Sequence, residues 1–295
     1  MSSDVSIVRR AAVCSTLPFL LLALHALPVF SAAYAFLAIR VLSFELAVAS
    51  GVGCYLLSFP LIAGMLSLPF RHAVIEGRFP RDLGHRVYGP RRLYAACWTT
   101  LYYHPVVHHV VLALPWLKTI TFRLFGYKGN TNFTVYPDTW IRDLPLLDVG
   151  EGAYLANRAT IGTNICLRSG DVMVGRVQIG ARSMIGHLAV LGPDNHIGSD
   201  SEVGVGTTFG MRVSIGDRTR VGAIAGVNHG ASIGCDCVVD SMSYVGLKAT
   251  LADGTTVRSN GSAPDRYGAK TSGCTRPRKS TGAQTNSRGG ADRSG

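Results

Sequence analysis

Val149-Gly150-Glu151-Gly152-Ala153-Tyr154-Leu155 opens a stretch that repeats every six residues as far as Val257. From Val149 the sixth positions are Leu155, Ile161, Leu167, Met173, Ile179, Ile185, Leu191, Ile197, Val203, Phe209, Ile215, Val221, Val227, Ile233, Val239, Val245, Leu251 and Val257. That makes nineteen apolar residues in one register, read without an insertion. Glycine usually follows each one, as at Gly150, Gly180, Gly204 and Gly222, and the fourth residue after each is often small, as at Ala153, Ser183, Ala189 and Thr219. A period of six matches neither a helix nor an isolated strand. It matches a parallel β-helix in which three short strands make one triangular coil of about eighteen residues. The large residue points inward, the small one fills the corner, and glycine is expected where the turn backbone demands it. The array predicts about six coils, and at ~4.8 Å per stacked strand they form a prism roughly 30 Å long.

The net charge of +11 suggests nucleic acid until it is divided by region. Residues 129–257 carry nine Lys/Arg against twelve Asp/Glu, residues 71–128 nine against two, and the tail from Arg258 eight against two. The excess positive charge lies outside the repeat, which favours membrane proximity over nucleic acid. Seven cysteines without a CxxC pair lack zinc-ribbon spacing.

Upstream, a short N-terminus (1–10) ends in Arg9-Arg10. Ala11 to Ile39 then holds no Lys, Arg, Asp or Glu, and a bilayer-spanning helix needs only ~20 such residues. The h-region of a cleaved signal peptide is ~7–15 residues. The second apolar run, Leu46 to Phe70, therefore favours a retained transmembrane hairpin over 11–70. Arg40 is the one basic residue in its turn, whereas Arg9 and Arg10 precede it and Arg71, Arg78, Arg81, Arg86, Arg91 and Arg92 follow. By the positive-inside bias both ends are cytoplasmic. The expected location is multi-pass in the cell inner membrane, with the β-helix in the cytoplasm.

Residues 71–128 form a basic linker around an uncharged run, Leu93 to Leu117. Its prolines, histidines and aromatics, flanked by basic residues, suit a segment lying in or dipping into the inner interface better than a third span. Pro105 breaks the helix that would align His104 with His108. Residues 129–258 are the β-helix domain, with 129–148 as a capping lead-in. Residues 259–295, rich in Ser, Gly, Thr and Arg, read as a disordered basic tail.

The repeat resembles the hexapeptide-repeat acyltransferases. More closely, the layout resembles half of the membrane-embedded C-terminal region of nonribosomal peptide synthetases of the poly-lysine synthetase kind. Arg91-Arg92-Leu93-Tyr94, Phe122 to Gly129 and Ile141 to Gly150 carry that closer likeness. It implies a left-handed β-helix, often a homotrimer, and transfer of an acyl or aminoacyl group from acyl-CoA or a phosphopantetheine-carrier thioester. It also implies a small-molecule acceptor, a carrier protein or peptide synthetase as partner, and no bound cofactor. The chain departs from the synthetases in having one repeat block and no adenylation or carrier domain. A histidine expected near Leu167-Arg168-Ser169 is absent.

In the resembled enzymes a histidine is the general base on the acceptor. His187, His196 and His229 lie in the repeat, and none occupies an inward position of the register. Each also reads as an ordinary histidine on a solvated face. His229 ranks first because it follows Asn228, which stands where glycine is usual. His196 ranks second because Asn195 replaces the small inward residue, and His187 ranks third. Arg212, Arg218, Arg220 and Lys248 are candidate partners for donor phosphates, with Asn228 and Asn195 as further substrate contacts. Stacking needs separations near multiples of eighteen, whereas the histidines differ by 9, 33 and 42, so no metal site is expected. Gly204-Val205-Gly206-Thr207-Thr208-Phe209-Gly210 resembles a nucleotide loop, but its outer glycines belong to the repeat and no helix follows.

Two functions of different class fit: a membrane-tethered acyltransferase, and a non-catalytic scaffold that docks biosynthetic enzymes at the membrane. A reporter fused after Val257 is expected to read out as cytoplasmic. A periplasmic signal from that fusion would overturn the charge-based orientation.

Overall fold

The computed structural model describes residues 2–259 and 261–263; the tail expected to be disordered lies almost wholly outside these. Two long helices, α1 (Ser2–Ile39) and α2 (Phe44–Ser67), pair as a hairpin about a turn at 40–43. Ser43 caps α2 by accepting from Leu46 N. Among the described residues these are the two helices long and apolar enough to cross a membrane. Many of their large side chains face outward, among them Phe19, Phe30, Tyr34 and Val52, a burden that surrounding lipid would relieve.

The apolar run after the hairpin folds as three short helices, α3 (Tyr88–Tyr102), α4 (Pro105–Ala113) and α5 (Pro115–Leu124). Pro105 does end α3, but it also starts α4 as the first helical residue, with His104 accepting from Val107 N as the cap. His104 Nε2 meets Tyr55 OH at 3.0 Å, while His108 turns its ring to Trp98 and Tyr102. The two histidines thus serve different packing contacts. Most of α3 is buried, with Tyr94, Cys97, Trp98 and Leu101 inside the protein, and Trp98 Nε1 donates to Ile141 O at 2.7 Å. It seals the first coil.

The β-helix has three parallel faces. Face I runs from Thr134–Val135 to Thr256–Val257 and face II from Trp140–Ile141 to Ser262–Ala263, each with seven strands; face III runs from Leu147–Val149 to Thr250–Leu251 with six. This is about seven coils, one more than the repeat predicted, because the lead-in pairs as strands and so builds part of a coil itself. At the far end Ser262–Ala263 adds a last strand to face II beside Tyr244–Val245.

Two features of the repeat need correcting. The register does contain an insertion: Tyr154 pairs with Met184, thirty residues on, where later coils pair at eighteen, as Met184 does with Glu202. The extra residues form an antiparallel hairpin, Asn164–Cys166 with Asp171–Val174, which the linker strand Gly77–Pro80 extends. Leu167 and Met173 belong to it and are only half-buried. Its length is two hexapeptides, so the count by six passes over it unbroken.

The glycine after each inward residue is also not there for its φ. The left-handed backbone falls two residues later, at Arg182 (φ 55°), Leu188 (58°), Arg218 (53°) and Ile224 (57°), among others. The glycines are needed for stacking: a Cβ on Gly204 would stand 2.5 Å from the Gly222 carbonyl carbon of the next coil. Some left-handed arginines are held by the coil above. Arg182 forks onto Asp200 at 2.6 Å for both bonds, and Arg218 onto Asp236 at 2.7 Å.

Helices and prism share one core, pinned by a buried ion pair between Arg91 Nη2 on α3 and Asp143 Oδ2 within the first coil, between Trp140–Ile141 and Leu147–Val149. Arg91 is 3% exposed and Asp143 0%. Thr163 Oγ1 donates to the same oxygen at 2.8 Å, and Asp143 sits at φ 53°. Asparagine tolerates that backbone, so Asp143→Asn removes the charge alone and strands a buried guanidinium. It is expected to cost ~3–5 kcal/mol, read as a lower urea midpoint for the detergent-solubilised chain. A loss below about 1 kcal/mol would show that the pair does not hold the junction.

Candidate functional site

The stacking brings side chains eighteen residues apart into columns, and one such column lines a groove of about 430 Å³ along the edge between faces I and II. Its corner is formed by His187, Val205, Ala223 and Ser241, one from each successive coil. Face I supplies Tyr154, Met184, Glu202 and Arg220 along one wall. At ~4.8 Å per coil the column spans ~14 Å from His187 to Ser241, the scale of an extended chain and not of a compact ring.

His187 is exposed at one end of the column, and its carbonyl accepts from Gly206 N at 2.8 Å. Ser241 Oγ at the other end accepts from Ala223 N at 3.1 Å. Arg220 Nε lies 3.3 Å from Glu202 Oε2, and its side chain is still 67% exposed. The groove is therefore mostly apolar, with one imidazole (His187), one guanidinium paired to Glu202 (Arg220) and two hydroxyls (Tyr154 and Ser241). Such a set can hold an acyl or pantetheine arm beside a base, while the guanidinium takes an anionic end.

The other candidates do not converge on this groove. His229 occupies the corner between faces II and III, and its Nδ1 accepts from Met211 N at 2.8 Å. In its neutral form the proton is then on Nε2, which leaves that ring no free base nitrogen. Asn228 is committed locally, donating to Tyr244 OH at 2.6 Å and accepting from His229 N at 2.7 Å. Arg212 and Lys248 lie on the same corner, where Arg212 is 3.8 Å from Asp194. Arg218 lies on the remaining corner, bound to Asp236. Asn195 points inward, 1% exposed, and accepts from Val213 N at 3.0 Å, which takes it out of reach of a ligand.

His196 stands on face III, half-buried, between Gln178 and Ser214 of the adjacent coils. Its Nδ1 is buried without a partner. Loss of hydration holds its pKa below the usual histidine value, against a smaller upward pull from Asp217 and Asp148. The three histidines thus occupy two different corners and a face, and no common ligand reaches them.

Tyr154, Glu202, Val205 and Ser241 escape a reading by residue type because each is ordinary alone. The eighteen-residue period carries the missing signal, since Glu202 and Arg220, like His187, Val205, Ala223 and Ser241, are one coil apart.

No protein-family model and no curated protein sequence matches the chain. Among solved structures it is similar to GDP-perosamine N-acetyltransferase from Caulobacter crescentus, determined with CoA and GDP-perosamine, at 21% identity over 48% of this chain and a TM-score of 0.37. The chain spans 60% of that protein's length. It is also similar to UDP-N-acetylglucosamine acyltransferase from Campylobacter jejuni, at 13% identity over 45% of this chain and 72% of that one, TM-score 0.25. Serine acetyltransferase from Neisseria gonorrhoeae, determined with serine, matches at 17% identity over 88% and 94% of the two chains, TM-score 0.21.

The depressed His196 pKa sets a direction for acid stability. Below about pH 6.5 the unfolded chain takes up a proton that the folded ring resists, so stability falls as pH falls, until the folded group also titrates. His196→Gln is expected to flatten the acid limb of the unfolding midpoint between pH 7 and pH 5. An unchanged slope in the variant would mean that His196 is not the group responsible.

Proposed function

We propose that the chain is a membrane-anchored acyltransferase that moves an acyl or aminoacyl group from a CoA or phosphopantetheine-carrier thioester to a hydroxyl or amine acceptor. The observation that carries this reading is the groove between faces I and II, a narrow apolar channel with one exposed imidazole at its end. The donor's acyl arm lies along the Val205–Ala223 column, and Arg220 meets its phosphates. His187 takes the proton of the acceptor as that nucleophile attacks the thioester carbonyl carbon. The new carbon–oxygen or carbon–nitrogen bond forms, the carbon–sulfur bond breaks, and the proton passes from His187 to the departing thiolate.

His187 takes precedence over His229 and His196, since His229 is tied to Met211 N and His196 faces away from the groove. The α1–α2 hairpin anchors the protein in the inner membrane, with the prism on the cytoplasmic side where thioester donors are made. Such an anchor suits a growing peptide or envelope component as acceptor, and a carrier domain of a peptide synthetase as the aminoacyl donor. The prism would act as a homotrimer.

The full chain reconstituted in liposomes is expected to release thiol from acyl-CoA or aminoacyl-carrier donors only when acceptor is present. His187→Ala is expected to lower kcat by ~10²–10⁴ with an unchanged unfolding midpoint, while His229→Ala keeps nearly full activity. Thiol release that survives in His187→Ala would remove that residue from the mechanism. Its absence with every donor would leave the docking scaffold as the better reading.

A further inference from the structure

A second cavity, of about 460 Å³, shares no residue with the groove. It lies where the linker, the N-terminal turn of α3 and the inserted hairpin meet, and is lined by Arg81, Tyr88, Arg91, Arg92, Arg142 and Asn164, with Cys166 and Val172 beside them. Four guanidinium groups thus line a space that no acidic side chain lines. Asp143 answers one of them through Arg91. The carboxylates of the linker and hairpin are engaged elsewhere: Asp82 with Arg10 and Ser6, Asp171 with Arg78 and Ser169, and Glu76 with Arg176.

Like charges gathered in a half-buried space repel one another unless something negative joins them. Two donors are already desolvated and unanswered, since Nε of Arg91 and Nε of Arg142 are buried without partners. Arg91 itself is 3% exposed. Loss of hydration, together with the nearby Arg91 and Arg92, lowers the pKa of Arg142 against the upward pull of Asp143. Planar guanidinium forks match the oxygens of a phosphoryl group in pairs. The volume exceeds that of a bare ion, and Tyr88 and Asn164 supply neutral polar contacts for the remainder of a ligand.

We infer that this cavity is a binding site for a phosphoryl group, independent of the thioester groove. The cavity sits at the basic end of the hairpin, where Arg10 and Ser6 of α1 reach Asp82 next to Arg81. Its phosphoryl group can therefore come from a lipid headgroup at the membrane surface or from a soluble phosphate ester.

Equilibrium dialysis of the detergent-purified full chain against radiolabelled inorganic phosphate, in 150 mM chloride (roughly physiological ionic strength), tests the site. Parallel titrations use dioctanoyl phosphatidic acid and dioctanoyl phosphatidylcholine. Saturable binding of one phosphate per chain is expected, weakened at least tenfold by Arg142→Gln and separately by Arg92→Gln, whose side chain is exposed. Tighter binding of phosphatidic acid than of inorganic phosphate would assign the lipid source, and equal binding the soluble one. No saturable binding of either, or binding that both variants leave unchanged while still folded, would overturn the proposal. Binding of phosphatidylcholine as strong as that of phosphatidic acid would overturn it as well.

Discussion

The buried contact between Arg91 and Asp143 is the constraint on which the two halves of this molecule depend. A β-helix ends in open strand edges, and an uncovered edge invites pairing with other chains. Here the first coil is closed by α3, whose Arg91 meets Asp143 and whose Trp98 donates to Ile141 O. α5 and the loop after it complete the seal: Lys118 Nζ donates to Phe133 O, and Tyr127 OH accepts from Val149 N. Two charges taken out of water stabilise the junction only while they face each other. The pair therefore ties α3 to the first coil of the prism.

The same junction creates the arginine cavity as a by-product of its geometry. Arg91 uses one nitrogen on Asp143, keeps a buried Nε without a partner, and lines the space together with Arg92 and Arg142. The inserted hairpin closes that space from the prism side, and the linker strand Gly77–Pro80 holds the hairpin in place through a four-residue antiparallel register. An insertion that looks dispensable in a stack of identical coils thus becomes the wall of a cavity. Under the two proposals, the groove takes a long apolar arm and the cavity a compact anion.

Much of the architecture is legible in the sequence because stacking imposes a strict rule on each position. Inward residues such as Ile185, Val203 and Val221 are buried as the period requires, and so are the small corner residues Ser183, Ala189 and Thr219. The hairpin of long helices follows equally directly from its uncharged runs. The inserted hairpin stays hidden because its length preserves the count by six, so Leu167 and Met173 pass for inward residues. The role of the glycines is hidden too, since contact with the next coil leaves no mark in a local pattern. The site is less legible than the fold. His187 ranks last by sequence because nothing beside it is unusual, and only the columns of adjacent coils show that it shares a groove with Arg220 and Ser241. The stretches 91–94, 122–129 and 141–150, far apart in the chain, meet at the junction through Arg91 with Asp143, Tyr94 with Phe125 O, and Tyr127 with Val149.

The most direct test of the central claim is to locate the donor on the intact protein. A non-cleavable thioether analogue of acyl-CoA carrying a photoreactive acyl tail would be crosslinked to the membrane-reconstituted chain and the adducts mapped by mass spectrometry. Adducts are expected on the corner column, at His187, Val205 or Ala223, and are expected to disappear when unlabelled acyl-CoA competes. Competable labelling confined to the helices or to the corner that carries His229 would contradict the placement of acyl transfer in this groove.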